Sequence, residues 1–243
     1  MRPPDDIRYA HLGWPKVVCT RSGSLILGCI AGPWHFGGGC PAISRSTDGG
    51  KTFSELQYLA TFNEKTYYQH CGNIALGETP AGALVLLAMA FTGDAYNTIL
   101  GWRSDDDAQT WTSVDTHALG DSRTGSVYGE LVAVPGLGLV VFGHYRRGSI
   151  PRDQGIWFSV SADDGRTWGD AQPMTGSYLF EPSVTFAEGR FIGLIRNDRS
   201  GHYTQLVSDD LGQTWCETES AVGVDETGVP SPFISVSEDD PSR

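Results

Sequence analysis

Basic residues are scarce in this chain. Seventeen Lys and Arg stand against 29 Asp and Glu among 243 residues, a formal net charge of −12. General nucleic-acid binding asks for the opposite, a basic footprint, so no nucleic-acid partner is expected. Long apolar runs are missing as well. The longest, residues 81–91, is about half of the roughly 20 residues that cross a bilayer, so no membrane partner is expected. The chain opens Met1-Arg-Pro-Pro-Asp-Asp6 with no apolar stretch behind a basic start, so no signal peptide is read there and localisation stays open. Lys, Leu and Ala are too few for a coiled coil. The five cysteines, at 19, 29, 40, 71 and 216, are odd in number and contain no CxxC pair. Neither a disulfide framework nor a zinc site is supported; they read as small apolar residues in strands, with no metal and no cofactor called for.

What the chain does have is aromatic and glycine-rich. Seven Trp, 10 Phe and 9 Tyr exclude a disordered chain, and 31 Gly with abundant Thr point to β-structure. Four segments align without gaps: Ser46-Thr-Asp-Gly-Gly-Lys-Thr-Phe53, Ser104-Asp-Asp-Asp-Ala-Gln-Thr-Trp111, Ser161-Ala-Asp-Asp-Gly-Arg-Thr-Trp168 and Ser208-Asp-Asp-Leu-Gly-Gln-Thr-Trp215. Their third-position aspartates, Asp48, Asp106, Asp163 and Asp210, are 58, 57 and 47 residues apart. Ser and Asp side chains bond backbone groups two or three residues on, and Gly supplies a positive φ, so each box reads as a hairpin turn with its closing aromatic folded between neighbouring sheets. Apolar or β-branched runs precede each box, at residues 40–44, 98–102, 156–159 and 204–207, and further β-type runs lie upstream of those, as in residues 24–30, 84–90, 138–142 and 190–195. Each period thus holds about four short strands and no helix, the make-up of a propeller blade. The aspartates sit one to a blade, which favours a structural over a metal-binding role.

The stretch richest in chemistry is Glu181-Pro-Ser-Val-Thr-Phe-Ala-Glu-Gly-Arg-Phe-Ile-Gly-Leu-Ile-Arg196. It predicts a strand, a tight turn at residues 187–190 and a second strand, which brings Glu181 and Arg196 to one end of a blade. That pair either grips and activates an acidic sugar or pins the hairpin as an ion pair. Arg146, Arg147 and Arg152 form the one dense basic cluster, either a solvated loop or an anchor for a polyanionic glycan, with His144 and Tyr145 beside it. His35 lies in the glycine-rich loop Gly32-Pro-Trp-His-Phe-Gly-Gly-Gly39, where Trp34 can stack on a sugar ring. His70 is a second polar candidate or a strand-end residue.

The four boxes resemble the Asp-box repeat of the sialidase (BNR) superfamily, over nearly the whole chain, which implies a sialidase-like six-bladed β-propeller. Six blades of about 45–50 residues need around 280, and only 28 residues follow Trp215. The expectation is therefore an all-β, incomplete propeller: four blades plus part of a fifth begun by Val229–Val236, one domain over residues 1–243, shortened at its C-terminal side. The E-x-x-V of Glu181–Val184 and the later Arg196 resemble the sialidase glutamate and one arginine of its carboxylate-binding triad. The first triad arginine is absent from Gly13-Trp14-Pro15, and residues 31–42 hold no aspartate acid/base. The third arginine and the nucleophilic tyrosine would lie beyond residue 243.

A nearer likeness is to the catalytic propeller of phage tailspike endosialidases. It is carried by Trp14-Pro15-Lys16, residues 32–44 with His35, Tyr68-Gln-His70-Cys71, residues 143–155, Glu181–Arg196 and residues 227–233. This resemblance implies hydrolysis of sialic acid-containing glycans, including polysialic acid. Glu181, Arg196 and His35 would be catalytic, with Arg147, Arg152, Trp34, His70 and Tyr145 in substrate binding. It also implies an acidic glycan or polysaccharide as partner, a homo-oligomer such as a trimer, and a virion or extracellular setting. The alternative is a non-catalytic, receptor-binding propeller with a degenerate site.

Overall fold

A computed structural model of the chain describes residues 4–35, 37–92, 96–120, 125–145, 155–223 and 231–235. Among the described residues, sixteen strands form four antiparallel blades in chain order. Blade one comprises β1 (His11–Cys19), β2 (Leu25–Gly32), β3 (Cys40–Ser46) and β4 (Gln57–Tyr58). Blade two comprises β5 (His70–Glu78), β6 (Leu84–Thr92), β7 (Tyr96–Ser104) and β8 (Thr112–Ser113). Blade three comprises β9 (Ser126–Val134), β10 (Gly138–His144), β11 (Ile156–Ser161) and β12 (Gln172–Thr175). Blade four comprises β13 (Phe180–Ala187), β14 (Arg190–Arg196), β15 (His202–Ser208) and β16 (Cys216–Gly223). Within each blade neighbours in sequence are neighbours in the sheet. Blades two and three are also joined at their first strands, where β5 runs parallel to β9 through Ala75↔Gly129 and Leu76↔Glu130.

Period-2 alternation sends successive side chains to opposite faces of a blade, and stacking blades buries both faces. On β6, Leu84, Leu86 and Ala88 enter the core between blades one and two, while Val85 and Leu87 enter the core between blades two and three. β10 repeats the device: Leu139 and Val141 face blade two, Val140 and Phe142 face blade four. Burying one such Leu or Phe contributes about 1.5–3 kcal/mol, so the inter-blade cores are the main source of stability. In blade four, β14 and β15 alternate between buried and more exposed residues, the pattern of a sheet covered on one face. Among the described residues the sheets form an open array rather than a closed ring. Of the expected fifth-blade opening, residues 231–235 form no strand but run beside β13, where Ile234 N donates to Ser183 Oγ at 2.9 Å; residues 229, 230 and 236 lie outside the described residues.

All four boxes connect the third and fourth strands of their blades, as hairpin turns of one design. In the third box, Ser161 Oγ donates to Asp163 Oδ1 at 2.8 Å, and Asp163 accepts from Thr167 N at 2.8 Å and Thr167 Oγ1 at 2.7 Å. Two successive residues take positive φ in every box, and not only glycines: Asp107 and Ala108 in the second, Asp164 and Gly165 in the third. Trp111, Trp168 and Trp215 pack into the core shared with the preceding blade. Phe53, in the first box, joins no core cluster, because no described blade precedes its own. The fourth position of the box ties blades together: Asp107 pairs with Arg45 of blade one, and Asp164 Oδ2 with buried Arg103 of blade two at 2.9 Å.

The box aspartates are held at about 2, below their ordinary 3.8. For Asp48, Asp106 and Asp210 the threonine hydroxyl is the largest cause and its backbone N–H the next. For Asp163 partial burial acts upward and the same two bonds outweigh it. A lowered folded-state pKa stabilises the fold above 3.8, and that stabilisation is lost as pH falls towards 2. The melting temperature should therefore hold down to about pH 4 and drop steeply below it. Asp163→Asn should lower it by about 2–4 °C at neutral pH and flatten the acid drop; an acid drop of wild-type steepness in that variant would contradict this origin.

Candidate active site

Each blade's first strand is interrupted by a residue with left-handed backbone: Trp14 (φ 50°) in β1, Asn73 (φ 27°) in β5, Gly129 (φ 85°) in β9 and Glu181 (φ 50°) in β13. The strand register slips at or next to each of them. A regular strand would deliver these side chains into the inter-blade cores; a bulge re-aims them. Trp14, Asn73 and Glu181 line one cavity of about 260 Å³, together with His35, His70, His144 and Arg196, and Trp14 also packs against the core between blades one and two. Four sequence candidates, Glu181, Arg196, His35 and His70, are thus brought together.

The hairpin joining Glu181 to Arg196 forms as expected. Ala187 pairs with Arg190 across Glu188 (φ 51°) and Gly189 (φ 81°), a two-residue turn with both central residues left-handed. Glu181 lies inside β13, at its bulge. Its backbone N–H donates to His144 Nδ1 of blade three at 3.2 Å, which fixes the bulge from outside. Arg196 Nη1 donates to Glu181 Oε2 at 2.8 Å and Arg196 Nε to Asp198 Oδ1 at 2.8 Å. Ser231 Oγ also donates to Glu181 Oε2. Burial pushes the Glu181 pKa up, but the bonds from Ser231 and Arg196, with the charges of Arg196 and His144, outweigh it and leave it lowered. Glu181 is therefore an ionised carboxylate at neutral pH.

On the opposite wall, His35 stacks on Trp14 (centroids 4.2 Å apart, 22° between planes), and its Nδ1 lies 3.3 Å from Nε2 of His11. His70 stacks on Phe91 at 4.4 Å. His70 also lines a second, adjoining cleft of about 620 Å³ with Trp34, Asn63, Gln69, Arg8 and Tyr9; Trp34 is 60% exposed there. Tyr145 lines neither cavity: its ring packs against the core between blades two and three, and its N–H donates to Gly155 O at 3.0 Å. Arg147 and Arg152 lie outside the described residues.

Beneath the site, buried Lys16 Nζ sits 4.4 Å from the centroid of the Tyr128 ring. Burial lowers the Lys16 pKa, opposed by Glu181 and Glu130. Tyr128 is pushed up to about 12, by burial first and then by the charge of Glu181, so its phenol stays protonated and donates to Pro232 O at 3.3 Å. Sequence reasoning passed over Asn73, Asp198, Ser231 and the partnership of His11 with His35. The bulges lie 34, 33, 34 and 29 residues before the third-position aspartates of their boxes, a near-constant spacing, but no shared residue type singles them out.

Residues 41–236 match the model of the BNR repeat-like domain, and the chain belongs to that family. Among solved structures it is similar to a Hadza microbial sialidase, 21% identical with a TM-score of 0.75, over 94% of this chain and 50% of that one. It is similar to the NanB sialidase of Streptococcus pneumoniae, 13% identical with a TM-score of 0.71, over 94% of this chain and 54% of that one. The alpha-L-arabinanase of Penicillium chrysogenum is 20% identical with a TM-score of 0.71, over 96% of this chain and 73% of that one. At these identities the likeness establishes the sialidase-like propeller fold. The chain spans about half the length of these sialidases. No curated protein matches it by sequence.

The balance of forces on Glu181 is open to measurement. Arg196→Gln removes the largest opposing charge, so burial should carry the Glu181 pKa above its ordinary 4.5. The carboxyl carbon-13 shift of Glu181 followed against pH reads this directly; a titration unchanged from wild type would contradict it.

Proposed function

We propose that this chain acts as a glycoside hydrolase of sialidase type on sialic acid-containing glycans. The observation that carries the proposal is the pairing of Glu181 and Arg196 in a cavity walled by Trp14, His35 and His70. Arg196 spends Nη1 and Nε on Glu181 and Asp198, and its Nη2 takes no partner among the described residues. That nitrogen is the donor for the carboxylate of an acidic sugar. Trp14 and His35 offer flat faces to the ring, and Trp34 extends the contact into the adjoining cleft.

In the proposed reaction the glycosidic C–O bond breaks through an oxocarbenium-like transition state, which the Glu181 carboxylate stabilises by its charge. His35 gives a proton to the departing oxygen. Water adds its hydroxyl to the anomeric carbon, and its remaining proton passes to Glu181. On this reading Tyr128, held protonated, is no nucleophile. The likeness to tailspike endosialidases favours polymeric substrates and a trimer, with residues 1–243 acting as one propeller unit.

A second reading is supported by the same ion pairs. Glu181 and Asp198 together neutralise Arg196, so the described wall carries no surplus positive charge. That suits a neutral sugar, or a propeller that binds glycan without cleaving it. The test is product release from α2,3-, α2,6- and α2,8-linked sialosides beside arabino-oligosaccharides. Wild type should release sialic acid or its oligomers, and Glu181→Gln should lose about 10²–10⁴-fold in rate. Release from arabino-oligosaccharides alone would establish the neutral-sugar reading. Binding without release by wild type would establish the glycan-binding propeller.

A further inference from the structure

The carboxylates that hold the turns and tie the blades use both of their oxygens. Each box aspartate accepts on Oδ1 and on Oδ2. The cross-blade residues Asp107 and Asp164 do the same. Glu181 is built differently. Arg196 Nη1 and Ser231 Oγ both donate to its Oε2, while its Oε1 accepts from no described residue. Oε1 is nonetheless not shielded from solvent, although the side chain is only 12% exposed, and Glu181 lines the cavity. An ionised carboxylate offers about four acceptor sites, so two donors on one oxygen leave the other with its capacity for a guest.

Ser231 is fastened where it makes that bond. Tyr128 of β9 donates its phenolic O–H to Pro232 O at 3.3 Å, and Ile234 N donates to Ser183 Oγ of β13 at 2.9 Å. The segment is thereby tied to the first strands of two blades. Pro232 confines the backbone of Ser231 to extended conformations, which lowers the entropy cost of aiming the hydroxyl. Charged and titratable groups face Glu181 from each neighbouring element: Arg196, with Asp198 behind it, in its own blade, His144 and Tyr128 in blade three, and Lys16 in blade one. His35 and His70 line the same cavity. Of the two donors bonded to the carboxylate, Ser231 is the uncharged one, so it can be removed without changing the charge of the site.

We propose that Ser231 is a positioning residue for the hydrolysis: with Arg196 it fixes Oε2 of Glu181, and so presents Oε1 as the oxygen that meets the substrate and takes the proton of the attacking water. The inference rests on the hydrolase reading above and assigns its proton to one atom. In that step the water oxygen bonds to the anomeric carbon and one water O–H bond breaks. Its electron pair stays on the new sugar hydroxyl, its proton moves to Oε1, and solvent then removes the proton. Oε2 keeps both of its donors throughout, so the carboxyl group does not turn. Without Ser231 the carboxylate has a single anchor and rotates about its last torsion, a broad, two-fold one, which exchanges the two oxygens.

The test compares Ser231→Ala and Ser231→Thr with wild type in the full chain. Hydrolysis of the α2,8-linked sialic acid trimer, or of arabino-oligosaccharides if wild type cleaves only these, is followed against pH. The acid limb of kcat/KM should lie below 4.5 in wild type, since the Glu181 pKa is lowered from that value. Ser231→Ala removes a bond that favours the ionised form, so the limb should move up by about one pH unit. At neutral pH kcat should fall about threefold to tenfold with KM nearly unchanged, because Arg196 still holds the sugar. Ser231→Thr keeps the hydroxyl and should restore both. The carboxyl carbon-13 titration of Glu181 in the free protein should show the same upward shift with no substrate present. An acid limb and a Glu181 titration both unmoved in Ser231→Ala overturn the inference and leave the hydrolase reading standing. A loss shared equally by Ser231→Thr, or matched by a fallen melting temperature, marks a segment kept for the fold and also overturns it. If wild type cleaves neither sugar, the hydrolase reading falls and this inference falls with it, whatever the titration shows.

Discussion

A strand packed into an inter-blade core has few side chains to spare for a ligand, and the first strand of every blade here opens in the same way. Inserting one left-handed residue into the first strand breaks the alternation and re-aims a side chain. Blades one, two and four use the opening to line one cavity, with Trp14, Asn73 and Glu181; blade three carries Gly129, which presents no side chain where β9 pairs with β5. Non-glycine residues at these angles are strained, and the rigidity to hold them comes from the inter-blade cores on which their strands pack. The site depends on the cores, and the cores on the period-2 pattern of strands such as β6 and β10.

Electrostatics then sets what the bulge residues can do. Glu181 is buried enough to favour its neutral form, yet Ser231, Arg196 and His144 hold it ionised. Each partner comes from a different place: Arg196 from the next strand of the same blade, His144 from blade three, Ser231 from the segment after blade four. The carboxylate is thus a product of the assembled propeller and not of the hairpin alone. The box turns contribute differently. Their aspartates bond within their own loops, and the neighbouring Asp107 and Asp164 reach across to another blade.

The fold was legible because its local chemistry repeats. Four boxes in register, each after an apolar run, define four blades without any tertiary information. The Glu181–Arg196 hairpin was legible for the same reason, since a two-residue turn fixes which strand ends meet. Asn73 was not, because a bulge is a change of register and leaves no residue type behind it: the four bulge positions hold Trp, Asn, Gly and Glu. The surroundings of Tyr145 were not legible either. Its place beside a run of arginines suggested a ligand contact, but the end of β10 turns its ring onto the core. The burial of Lys16 beneath the site was equally invisible, being a matter of which strands face one another across the first three blades.

The central claim is that the bulge residues of separate blades converge on a single ligand cavity. A crystal structure of the Glu181→Gln variant soaked with a sialic acid trimer or with arabinobiose tests it most directly. The expected result is a sugar ring between Trp14 and Arg196, in contact with Asn73. A sugar found only elsewhere on the propeller, with that cavity empty, would contradict it.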